Sequence, residues 1–343
     1  MIRVRPGFRH SYRQAVQQRR YDPAMLRTRL TEALQIDHPV MLAGMGGVSY
    51  NELVAAVSAA GGFGCMGAST MRHDEMIDEI AQVRRATDKP FGVDLLTASP
   101  GDMESKVRSI IDGGAQVFVA GLGVPRDVVD LCHRNNVLVM NMCGKVRHAI
   151  AAVEAGCDIV VAQGTEAGGH TGQVATFALV PQIVDAVGDR VPVVAAGGIV
   201  DGRGLAAALA LGADGIWVGT RFIATPEART TPGYKDALLG LQDDGTVITR
   251  GYTGKTCRVV RNDYTQYWDE HPDELQPFPA QFLRSTEDGA NHLGADLATE
   301  VDPQREFWPA GQGAGAIDEL VPAADLVVRF VEEAEAVLAR ITT

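Results

Sequence analysis

The sequence predicts an α/β fold, a closed (β/α)8 TIM barrel with a helical or irregular insertion near its C-terminal end. Three observations point there: eight short apolar runs follow one another between residues 39 and 219, amphipathic stretches separate them, and glycines punctuate the joins. Runs that are apolar throughout, without alternation, suit parallel strands buried on both faces.

In order, the runs are PVMLAG (39–44), GFGCMG (62–67), FGVDLL (91–96), AQVFVAG (115–121), NVLVMNM (136–142), CDIVVAQG (157–164), VPVVAAGG (191–198) and ADGIWVG (213–219). Between them, NELVAAVSAA (51–60), HDEMIDEIAQVRRA (73–86), MESKVRSIIDGG (103–114), VRHAIAAVEAG (146–156) and RGLAAALALGA (203–213) read as helices. Several end in a Gly suited to a helix C-cap. A doubly wound sheet competes, but eight consecutive units with short connections close more naturally into a ring.

Residues 226–320 break the rhythm. This stretch is polar, contains YTQYWDEHPDELQPFPAQF (264–282), and is expected to form a helical insertion over the barrel mouth with a lid role. ADLVVRFVEEAEAVLARI (324–341) has the spacing of a closing helix. The barrel would then comprise 26–225 and 321–343, and the basic opening, residues 1–25, an N-terminal surface arm without the apolar core of a secretory signal.

Across 343 residues, 31 Lys+Arg against 43 Asp+Glu give a net charge of −12. Such a chain has no bulk attraction for nucleic acid or an anionic membrane, so any anionic ligand must be held locally. No apolar run reaches the roughly 20 residues of a membrane span. The cysteines (Cys65, Cys132, Cys143, Cys157, Cys257) form no C-x-x-C pair and read as reduced core thiols of a cytoplasmic protein. Histidine and cysteine spacings suggest no metal site, and no G-x-S-x-G marks a serine nucleophile.

Barrel enzymes work at the C-terminal ends of their strands. There Gly197 and Gly198 end the seventh run, and Gly219 and Thr220 end the eighth. Glycines serve ordinary turns everywhere, but two such turns on the last two strands suit backbone N–H groups approaching a phosphate. The sixth run leads into AQGTEAGGHTG (162–172), which lets the backbone pass close to a ligand and sets His170 at the mouth. Histidine is the side chain best suited to proton transfer near neutral pH, and Glu166 could orient the loop or cap N–H groups.

PVMLAGMGG (39–47), AAVSAAGGFGCMGA (55–68), FGVDLL, AQGTEAGGHTG, AAGGIVDGRGLAAALALGADGIWVGTRF (195–222) and AGQGAG (310–315) together resemble the nitronate monooxygenases, FMN flavoproteins formerly called 2-nitropropane dioxygenases. That family is similar in turn to FMN-dependent enoyl-ACP reductases. The resemblance covers most of 38–225 plus 310–315, and implies that Ala43, Gly44 and Met45 lie against the flavin ring. Asp94 would reach its polar edge, and Gln163, Gly168 and Gly169 its ring or ribityl side. Ala196, Gly197, Gly198, Gly219 and Thr220 would hold the phosphate and its approach, Gln312 and Gly313 would return to the flavin, and His170 would be catalytic. Two positions depart from the pattern: Met142 stands where a common branch has Lys, and Asp94 where relatives commonly have Asn.

The implied activity is FMN-dependent oxidation of alkyl nitronates by dioxygen to a carbonyl compound and nitrite. The alternative is a flavin reductase of quinones or enoyl thioesters using NAD(P)H, and a third reading is a non-catalytic phosphate-ligand barrel. The expected partner is a small-molecule substrate, with no nucleic acid and no membrane. The sequence leaves homo-oligomer formation open.

Overall fold

The computed structural model describes residues 26–96, 102–121, 123–295 and 298–342; the expected arm, 1–25, lies outside them. Eight parallel strands form the ring: β1 (Val40–Leu42), β2 (Gly64–Gly67), β3 (Phe91–Leu96), β4 (Val117–Gly121), β5 (Leu138–Cys143), β6 (Ile159–Gln163), β8 (Val193–Ala196) and β9 (Gly215–Val218). Each coincides with one of the eight apolar runs, β5 running one residue past the end of its run to Cys143. Their order is β1-β9-β8-β6-β5-β4-β3-β2, and a parallel bridge between Met41 and Phe63 joins the two end strands. A short strand, β7 (Gly169–His170), stands outside the ring.

Helices alternate with the strands: α2 (Asn51–Ala59), α3 (His73–Ala86), α4 (Met103–Asp112), α5 (Arg126–Arg134), α6 (Val146–Ala155), α7 (Thr176–Val187) and α8 (Gly202–Ala210). Strand parity divides the apolar residues into two sets. One set (Val93, Leu95, Val139, Val160, Val193) joins the core shared with the helices. The other (Met41, Phe63, Cys65, Val117, Val119, Met140, Ile159, Val161, Val194, Trp217) fills the barrel interior. Leu30, Leu34 and Ile36 of the segment around helix α1 (Arg29–Leu34) belong to this interior set. Asp214 receives Arg29 Nε and Nη2 at 3.1 and 2.6 Å, which ties α1 to the strand joint before β9. All five cysteines are buried and unpaired, and burial pushes their thiols up.

After β9 come α9 (Thr220–Ile223) and α10 (Tyr234–Leu239), then a ribbon of β10 (Thr246–Thr249) and β11 (Cys257–Val260) that pairs antiparallel with β7. This ribbon is a departure from the expected helical insertion. Its strands have four residues each, too few for alternation to stand out, and the third strand comes from the distant β6 loop. Helices α11 (Asp263–Glu270) and α12 (Ala280–Glu287) complete the stretch around a separate aromatic core of Tyr252, Tyr264, Trp268 and Phe307. The closing helix α13 (Ala323–Thr342) packs on α8, where Glu333 Oε2 accepts the Gly202 N–H at 2.9 Å.

Leu30 is fully buried in the interior set. Leu30→Ala is expected to cost about 2–5 kcal/mol, read as a lower guanidinium midpoint at unchanged slope.

Candidate active site

The inward positions change character at the C-terminal ends of the strands. Below, the barrel is filled by Met41, Cys65, Val119, Met140, Val161, Val194 and Trp217. One step above come Ala43, Gly67, Asp94, Gly121, Met142, Gln163, Ala196 and Gly219, five of them without a side chain beyond Cβ. A layer built this way leaves a shallow floor for a flat ligand, with Asp94 and Gln163 as its polar members.

Asp94 leans across Gly44: a Cβ built on Gly44 would lie 2.3 Å from the Asp94 Cβ, so only glycine fits there. The carboxyl is buried and makes no hydrogen bond to a described residue, and burial pushes its pKa up to about 8. A protonated carboxyl offers one donor and one acceptor, the pair that an Asn would present. The departure at this position thus keeps the hydrogen-bonding pattern. Met45 closes the same side, its sulfur facing Gly219.

Across the floor, three backbone segments converge. Gly197 and Gly198 adopt φ of +107° and +73°, conformations that favour glycine. The loop after β6 meets the turn at 311–316, where Gln312 N–H donates to the Glu166 carbonyl at 2.9 Å and Gly311 N–H to Thr220 Oγ1 at 2.9 Å. Gly168 packs against Ala310 and Gly311. Gln312 therefore enters through its backbone, and its side chain is exposed. Glu166 spends its charge on α7, accepting Thr176 N–H at 2.9 and 3.0 Å and the Thr176 hydroxyl at 2.9 Å. The N–H groups of Gly198 and Thr220 donate to no described residue, as a phosphate cradle requires.

His170 stands opposite, in β7, paired in register with Cys257 of β11. Gln163 Nε2 donates to its carbonyl at 2.8 Å, and its Nε2 lies 3.0 Å from Thr253 Oγ1. Burial, and secondly the charge of Lys255, push the imidazole down to about 4, so it is neutral at physiological pH. The ring lines a cavity of about 690 Å³ that also touches Met142, Gln163, Lys145 and Lys255. Lys145 is on the cavity wall, three residues from Met142. Thr253 and Lys255 escaped the sequence reading, since only the pairing of β11 with β7 brings them to His170. Among the described residues no cluster of His, Cys, Asp and Glu has the makings of a metal site, and no helix is long and apolar enough to cross a membrane.

Comparison with known proteins agrees with this fold. The chain is 34% identical to the FabK protein of Thermotoga maritima, whose structure superposes with a TM-score of 0.83 over 92% of this chain and 98% of that one. The nitroalkane oxidase of Streptomyces ansochromogenes is 30% identical, with a TM-score of 0.78 over 91% and 99%. A Mycobacterium tuberculosis enzyme named (3aS,4S,5R,7aS)-5-hydroxy-7a-methyl-1-oxo-octahydro-1H-indene-4-carboxyl-CoA dehydrogenase is 40% identical over 70% of this chain and 68% of its own length. The family description Nitronate monooxygenase matches residues 27–112 and 98–333. Matched along nearly the whole barrel and its insertion, the chain belongs to the nitronate monooxygenase family and is an oxidoreductase.

Proposed function

We propose that this oxidoreductase binds FMN on the strand-end floor and oxidises alkyl nitronates with dioxygen to a carbonyl compound and nitrite. The observation that carries the reading is His170, a neutral imidazole on the cavity wall beside the uncrowded strand ends. Gly197, Gly198, Gly219 and Thr220 would hold the phosphate, with Gln312 bracing the adjoining loop through its backbone. Ala43, Gly44, Met45 and Ala196 would lie against the ring, Asp94 and Gln163 at its polar edge, and Gly168 and Gly169 along its ribityl side. FMN, when bound, supplies the electron transfer between nitronate and dioxygen.

His170 then has two uses. The nitrogen that faces the cavity decides which one operates: as an N–H it hydrogen-bonds an oxygen of the nitronate anion, and as an unprotonated nitrogen it takes the α-proton of a neutral nitroalkane. An imidazolium could not serve as that base, so the neighbouring Lys255 charge helps the second use. The same positive charge attracts the anionic nitronate.

A second reading, reduction of a quinone or an enoyl thioester by NAD(P)H, is favoured by the reach of the cavity. It extends past Gly144 and Lys145 along α6 to His148 and Ala155. That is more room than a short nitroalkane needs, and the basic side chains suit an anionic carrier such as the CoA in the mycobacterial relative's name.

Anaerobic addition of ethyl nitronate to the FMN-loaded protein is expected to bleach the flavin, with NADH and NADPH acting slowly or not at all. Bleaching by a nicotinamide alone would transfer the assignment to the second reading. His170→Asn should retain FMN and lower turnover of neutral nitroethane by about 10²–10⁴-fold; an unchanged rate would remove His170 from the chemistry.

Asp94 gives a pH test on the apoprotein. Its carboxyl titrates at an ordinary 3.8 when unfolded and at about 8 when folded. The stability this group contributes is complete below the first value and is lost as pH rises through the second. From pH 5 to 8, wild-type protein should therefore lose stability relative to Asp94→Asn in denaturant titrations; parallel curves would show an ionised Asp94.

A further inference from the structure

We propose that Thr253 is the positioning residue that fixes the tautomer of His170, holding the proton on Nε2 and leaving Nδ1 as the acceptor that meets the substrate. The inference rests on the reading that His170 faces substrate, and it concerns which ring nitrogen does so.

Thr253 lies in the turn joining β10 to β11 and is 2% exposed. Its Oγ1 sits among three groups: His170 Nε2 at 3.0 Å, the Lys255 carbonyl at 3.1 Å and the Lys255 N–H at 3.2 Å. A hydroxyl has a single hydrogen to give. Among the described residues the Lys255 carbonyl has no other donor, so the hydrogen goes there. The oxygen then accepts from the Lys255 N–H and has only acceptor capacity left for the imidazole. Nε2 must therefore carry the ring proton.

The rest of the surroundings agree. Nδ1 has no hydrogen-bond partner among the described residues, and the ring lines the cavity. The His170 backbone is clamped by Gln163 and by pairing with Cys257, so the ring is held from its main chain and from its far nitrogen. Lys255 is itself anchored, its ammonium 4.4 Å from the centre of the Phe278 ring. Serine could reproduce the hydroxyl; valine keeps the shape and removes all three hydrogen bonds.

Nitrogen NMR of ¹⁵N-histidine-labelled apoprotein, with His170→Asn to assign the signal, reads the tautomer without substrate or flavin. The expected result is a protonated Nε2 with a lone pair on Nδ1 in wild type, shift averaging in Thr253→Val, and the wild-type pattern restored in Thr253→Ser. A proton on Nδ1 in the wild-type protein would overturn the proposal, even if the valine variant did not fold. With neutral nitroethane, Thr253→Val should lower kcat about 10- to 100-fold with little change in KM or FMN affinity, and Thr253→Ser should recover most of the loss. Wild-type kcat in Thr253→Val would also overturn it. Failure of the nitronate reading would show separately, as absence of turnover in wild type with the tautomer still fixed.

Discussion

Everything at this site depends on a steric constraint in the barrel interior: side chains must fill it below and be nearly absent above. A barrel of eight strands has room for little more than its own inward-facing residues. Trp217, Met140, Met41 and Phe63 occupy the lower levels, and α1 contributes Leu30 and Leu34. Had the next level carried residues of similar size, no flat ligand could rest on it. Ala43, Gly67, Gly121, Ala196 and Gly219 keep that level low, and the full core beneath keeps it rigid.

A second level of organisation ties distant loops to that floor. Arg258 of β11 donates to the Thr165 carbonyl at 2.9 Å and to Thr246 Oγ1 at 3.2 Å, so one buried guanidinium links the ribbon to the β6 loop. The turn at 311–316 leans on the same loop through Gln312 and on α9 through Gly311. The insertion is therefore part of the cavity wall: it supplies Thr253 and Lys255 to His170. The two acids, Asp94 buried and Glu166 half-buried, also divide their roles by surroundings. Glu166 accepts from the N–H and hydroxyl of Thr176 at a helix start, whereas Asp94 has no described hydrogen-bond partner and is held toward its neutral form.

The barrel was legible because strands buried on both faces leave continuous apolar runs, and helices leave a different period. The turn at Gly197 and Gly198 was legible because paired glycines at a strand end suit the positive φ that both adopt. β10 and β11 were not: four-residue strands such as TVIT have too little pattern, and their pairing with Gly169–His170 is a contact between segments about ninety residues apart. Thr253 looks like any turn threonine until that pairing exists. The meaning of Asp94 was equally hidden, since the letter D does not say whether the carboxyl will be solvated or sealed beside Gly44.

The most direct measurement is a titration of apoprotein with FMN and, separately, with riboflavin, followed by quenching of flavin fluorescence. If the strand-end floor and the glycine loops form the site described, FMN binds saturably with one molecule per chain and riboflavin binds much more weakly, because it lacks the phosphate for the Gly198 and Thr220 N–H groups. No saturable binding of FMN, or equal affinity for both, would contradict the assignment.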